Sequence, residues 1–96
     1  MHYAVVRRYS DSKVLADALA ARQDEVNALI SSVPGFVTYY AVRDGDALIT
    51  VTVCEDKAGT DESTRRAAQW VRENLADAGI APPEVTEGEV FINAPQ

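Results

Sequence analysis

The segment FVTYYAVRDGDALITVTVCE, Phe36 to Glu55, decides the fold. Two runs rich in Val, Ile, Thr and Tyr, Phe36 to Arg43 and Ala47 to Glu55, flank Asp44-Gly45. That dipeptide tolerates positive φ in a tight turn, so the segment reads as a β-hairpin. With Asp44-Gly45 as the turn, Arg43 faces Asp46 and Tyr40 faces Ile49, and alternation divides the side chains between two faces. One face carries Phe36, Thr38, Tyr40, Val42, Ala47, Ile49, Val51 and Val53. Being the more apolar, it is expected to be the helix-covered core. The other carries Val37, Tyr39, Ala41, Arg43, Asp46, Leu48, Thr50, Thr52 and Cys54. Its centre is semi-polar, yet Val37, Tyr39 and Leu48 would form an apolar patch that soluble monomers rarely expose. A second copy of the chain is expected to cover it, so that Leu48→Arg would split a dimer.

The flanking sequence supplies the remaining elements. Tyr3 to Tyr9 reads as a first strand, closed by Ser10-Asp11-Ser12, which suits a helix N-cap. From Lys13 to Val33, apolar residues at Leu15, Leu19, Val26, Leu29, Ile30 and Val33 keep a helical period with one polar interruption, Arg22, until Pro34-Gly35 stops it. Gly59-Thr60-Asp61-Glu62 is expected to open a second helix, its two acids in the first turn complementing the helix dipole. Ala67, Trp70, Val71, Leu75 and Ala78 continue its apolar stripe, and Gly79 ends it. Pro82-Pro83 leads stiffly into a last strand, Glu84 to Ile92. The order βαββαβ is the ferredoxin-like arrangement of the α+β class, four antiparallel strands with the helices on one face.

Residues 1–96 are expected to make one domain, since a chain of 96 residues is too short for two cores. Hydrophobic residues at 47% and charged residues at 25% are an ordinary globular mixture. A net charge of -6 repels phosphate backbones and anionic bilayers, and the basic residues are scattered, so neither nucleic acid nor membrane is an expected partner. Cys54 is the only cysteine, which suits a reducing compartment and makes the cytoplasm the expected location. No apolar run has the length of a signal or a membrane span.

Catalytic signatures are few. His2 is the only histidine, so a metal site with Cys54 would have to recruit carboxylates; no metal and no cofactor is expected. There is no Gly-x-Ser-x-Gly elbow, and the glycines are turn glycines. The informative residues are polar groups on an inner sheet face, which are costly to bury unless hydrogen-bonded. Tyr39, Thr50 and Thr52 are of this kind, and either bond one another or meet a ligand. Arg7 and Arg8 alternate to opposite faces of the first strand. The inward one either pairs with Glu87 or Glu89 or meets an anionic ligand. Trp70, on the second helix, is a core or dimer-contact aromatic or a wall of the same site. The expected ligand-binding set is Tyr39, Thr50, Thr52, Arg7 and Trp70.

In outline the chain resembles the dimeric α/β-barrel superfamily, and within it the antibiotic-biosynthesis-monooxygenase-like domains. The resemblance rests on the first strand, a helix ending in Val33-Pro34-Gly35-Phe36, a hairpin running into Val53-Cys54-Glu55-Asp56-Lys57-Ala58, a second helix and a final strand. It implies a homodimer whose two sheets face each other, with ligands held between each sheet and its helices or in the barrel interior. Enzymatic relatives often carry a tryptophan near the end of the third strand, where this chain has Cys54. The haem-degrading branch needs a histidine on the second helix, which is lacking here, and neither Asn74 nor Asn93 lies early in the first strand, where that branch has its asparagine. Three readings follow: a homodimer binding a small aromatic molecule, a cofactor-independent monooxygenase-like enzyme acting on a quinol or polyketide, and a structural or regulatory dimer without a ligand.

Overall fold

A computed structural model describes residues 2–95. Strand β1 (Tyr3–Tyr9) is followed by helices α1 (Lys13–Ala21) and α2 (Gln23–Ser31), strands β2 (Phe36–Asp44) and β3 (Ala47–Cys54), helix α3 (Lys57–Asn74), a 3-10 turn at Ala76–Ala78 and strand β4 (Glu84–Glu89). The four strands form one antiparallel sheet in the order β2-β3-β1-β4, with the helices against one face. This is the βαββαβ ferredoxin-like arrangement.

The hairpin register corrects the expected faces. Asp44 pairs with Ala47, so the turn is Gly45-Asp46, one residue later than expected, with Gly45 at φ 60°. The shift moves both strands together and leaves the two sets nearly intact, except that a bulge at Val37 returns Phe36 to the side of Cys54. What changes is which set the helices cover. Leu48, Thr50, Thr52 and Cys54 are buried together with Val5, Arg7 and Tyr9, their partners or neighbours across β1. The face with Tyr40, Val42, Ile49, Val51 and Val53 is the one left without helices, and Tyr40 and Val42 on it are 61% and 47% exposed. Leu48, at 2% exposure, belongs to the main core with Tyr9, Leu15, Val26, Ile30 and Trp70. Comparing the apolarity of the two faces misassigned them because the helix-covered face holds a polar cluster that satisfies most of its own hydrogen bonds.

Other boundaries follow local chemistry. The single helix expected over 13–33 breaks at Arg22, which closes α1 and opens α2 and whose guanidinium lies 5.8 Å over the Trp70 ring while bonding the Asn74 side chain. Ser12 takes the N-cap position of α1 but turns its hydroxyl back to the Ser10 carbonyl. Helix α3 starts earlier than expected, capped by Asp56, whose carboxylate accepts the Gly59 N–H at 3.1 Å. Asp61 and Glu62 therefore lie beyond its first turn. Gly59 seats α3 on the sheet: a Cβ there would come within 2.7 Å of the Cys54 Cβ and 2.9 Å of the Pro34 carbonyl oxygen. Strand β4 ends at Glu89, short of the expected Ile92, leaving Phe91 and Ile92 exposed.

Candidate functional site

Alternation along β1 sends Arg8 outward, where it pairs with Asp44 at 3.6 Å, and Arg7 inward under α3. Arg7 is 1% exposed. Helix α3 meets it with Ser63 and Thr64, and β3 with Thr52. Nη1 donates to Thr64 Oγ1 at 2.8 Å and to Ser63 Oγ at 3.4 Å, and Nη2 donates to Thr52 Oγ1 at 2.8 Å. These hydroxyls fix the guanidinium plane without neutralising it. Among the described residues no carboxylate forms an ion pair with Arg7, neither of the expected Glu87 and Glu89 doing so, and Glu87 is taken by Lys57 at 3.4 Å. Burial pulls the Arg7 pKa down, while the Tyr9 and Tyr39 phenols and the Cys54 thiol push it back up. Burial likewise raises the pKa of Tyr9 and of Tyr39, and in both the Arg7 charge opposes the rise.

Among the described residues, two buried polar atoms find no protein partner, Arg7 Nε and Thr50 Oγ1. They belong to residues directly opposite one another in the β1–β3 register, on the same face of the sheet. One is an N–H donor and the other a hydroxyl that can donate or accept. Both residues line a cavity of about 30 Å³ between the sheet and the helices, walled by Tyr9, Tyr39, Leu48 and Trp70 and roofed by Leu15, Leu19, Val26 and Val71. Almost everything else in that lining is hydrocarbon. A positive charge held against so apolar a lining attracts an oxygen anion more strongly than it would in water.

Four of the five expected site residues, Arg7, Tyr39, Thr50 and Trp70, line this one cavity, and Thr52 holds Arg7 in place. The expected Thr–Thr bond is not the one that forms. The Trp70 indole N–H donates to Glu25 at 2.8 Å, so this side chain ties α3 to α2 as well as walling the cavity. Ser63, Thr64 and Tyr9 were not foreseen. A signal for the first two was present in the sequence: Thr60, Ser63, Ala67 and Trp70 share one helical face, and polar residues inside a buried stripe imply a polar partner opposite.

The sequence itself matches no family model and no curated protein. Solved structures do match the fold. A protein of unknown function from Nitrosomonas europaea is 20% identical, with a TM-score of 0.73 over 96% of this chain and 91% of that one. SnoaB, a cofactor-independent oxygenase from Streptomyces nogalater, is 16% identical with a TM-score of 0.67 over 99% and 98% of the two chains. A candidate antibiotic biosynthesis monooxygenase from Chloroflexus aurantiacus is 20% identical with a TM-score of 0.67 over 97% and 96%. These likenesses show a shared fold. Identities this low carry the architecture and no activity. Among the described residues, no helix is long and apolar enough to cross a membrane.

Proposed function

We propose that the chain is a single-domain, homodimeric α/β-barrel protein that binds a small aromatic, weakly acidic molecule at Arg7. The observation that carries this reading is the pair of unpartnered buried atoms, Arg7 Nε and Thr50 Oγ1, on two residues that line one largely apolar cavity. Each unmet group costs about 1–3 kcal/mol, and one ligand oxygen accepting from both would recover that cost. Phenolate, carboxylate and enolate oxygens have the required chemistry, with the ring that carries them lying outside this small cavity. The second copy is called for by the uncovered sheet face, where Tyr40, Val42, Ile49, Val51 and Val53 form a contiguous apolar patch. Cys54, free and buried, suits a cytoplasmic setting.

The test is optical. Below its own pKa, 4-nitrophenol is mostly neutral and colourless, and a buried guanidinium nearby should raise its yellow anion fraction roughly tenfold or more on binding. Thr50→Val should weaken the effect and Arg7→Met abolish it. If the folded protein in excess leaves the anion fraction unchanged, the anion-binding reading is wrong. The second reading, a cofactor-independent oxygenase acting on a quinol or polyketide, is favoured by the same charge. Stabilising the phenolate or enolate creates the electron-rich form that reacts with oxygen, with Tyr39 placed to orient a substrate hydroxyl. Oxygen uptake on a quinol that disappears in Arg7→Met would select it over simple binding.

A further inference from the structure

The cavity at Arg7 and Thr50, about 30 Å³, has room for roughly two water molecules. An acidic head fits there and an aromatic ring does not, so the body of any ligand must lie next door. Two larger spaces adjoin. The first, about 360 Å³, opens at the β2 edge among Gln23, Asn27, Tyr40 and Arg43; it shares Leu19, Val26, Tyr39 and Leu48 with the central cavity but lacks Arg7, and its Arg43 is already paired with Asp17 at 2.9 Å. The second, about 220 Å³, lies between α3 and the Ile80–Pro83 connector, lined by Ala68, Val71, Ile80 and Pro82 with Tyr9 and Arg7 at its floor.

The second space matches the head site in three respects. It shares Arg7, Tyr9 and Val71 with the central cavity, so the two spaces meet at these side chains and Arg7 borders both. The charged residues of its lining are both arginines, Arg7 within and Arg72 at the rim, although the chain carries a net charge of -6. Pro82 and Pro83 stiffen its outer wall, so little ordering entropy is lost when it closes on a ligand. We propose that this connector pocket receives the apolar body of a small organic monoanion whose acidic head passes Tyr9 and Val71 to reach Arg7 and Thr50. The proposal rests on the anion-binding reading above and adds to it the ligand class and the side from which it enters.

The test uses amide and arginine side-chain NMR of the full chain with three probes: formate for the head alone, 1-naphthoate, and the neutral 1-naphthamide. Expected are shifts of the Arg7 Nε–H with formate, and of Arg7 together with Ala68, Val71 and Ile80 with 1-naphthoate. The carboxylate should bind at least about tenfold more tightly than the amide, the margin of a charge-assisted hydrogen bond. Ala68→Leu, which fills the pocket, should lose 1-naphthoate and keep the formate response. If that variant loses its dispersed spectrum, Ala81→Leu at the exposed rim takes its place. Should formate move Arg7 while 1-naphthoate moves only Gln23 and Asn27, or nothing, the connector pocket is overturned and the head site stands. If neither probe moves Arg7, both fall. Equal binding of 1-naphthamide and 1-naphthoate overturns the monoanion class.

Discussion

A guanidinium buried to 1% exposure without a carboxylate is expensive even when its N–H groups are bonded, and Arg7 leaves one of them unbonded. Stability alone does not call for such a residue, because an apolar side chain of similar length would fill the same space beside Val71, Leu48 and Tyr9. Arg7→Met is therefore expected to leave folding stability unchanged or raise it, by up to about 4 kcal/mol, while removing anion binding. Urea denaturation checks the first part. A loss of more than about 3 kcal/mol would make Arg7 a structural strut whose removal strands Thr52 and Thr64.

At the scale of elements, the sheet separates two apolar demands. One face packs under α1, α2 and α3, and the other, with Tyr40, Val42, Ile49, Val51 and Val53, has no helix over it. Neighbouring residues of β3 thus give opposite outcomes. Leu48→Arg would force a charge into the main core and should unfold the chain, whereas Ile49→Arg should leave the chain folded and abolish the proposed dimer. Circular dichroism separates the two effects, and sedimentation at low micromolar concentration reads the second. An Ile49→Arg protein that stays dimeric would place the association surface elsewhere.

Across the whole molecule, charge is arranged so that the surface and the interior answer to different conditions. On α3, Arg65 and Arg66 both bond Glu62, at 2.6 Å and 2.9 Å, and hold its carboxyl down to about 2. The unfolded chain has no such partners and takes up that proton near the ordinary value of 4.5. Between those pH values the unfolded state binds more protons, so stability is complete above pH 4.5 and falls as the solution is acidified toward 2. Because the side chain keeps 28% of its surface in contact with solvent, which screens the pair, the amplitude is small. Glu62→Gln should flatten this part of the acid-denaturation curve, and a curve of unchanged slope would show that the pair contributes nothing. If Arg7 binds the proposed anion, it stays charged throughout this range and the affinity should hold down to the pKa of the anion's own acid.

The element order, the hairpin and Pro34-Gly35 as a stop were legible in the sequence, because period and turn chemistry are local signals, and the oddity of polar residues in strands singled out Arg7, Tyr39, Thr50 and Thr52 as candidates. The break at Arg22 was visible only as a polar interruption, since what fixes it, Trp70 and Asn74, lies far along the chain. Tertiary structure alone decided which face of the sheet the helices cover. Alternation sorts side chains into two sets and does not say which set faces inward. When one set is aliphatic and the other is built around Arg7, apolarity favours the wrong choice, and only the hydroxyls that α3 brings to the guanidinium make the polar face the buried one.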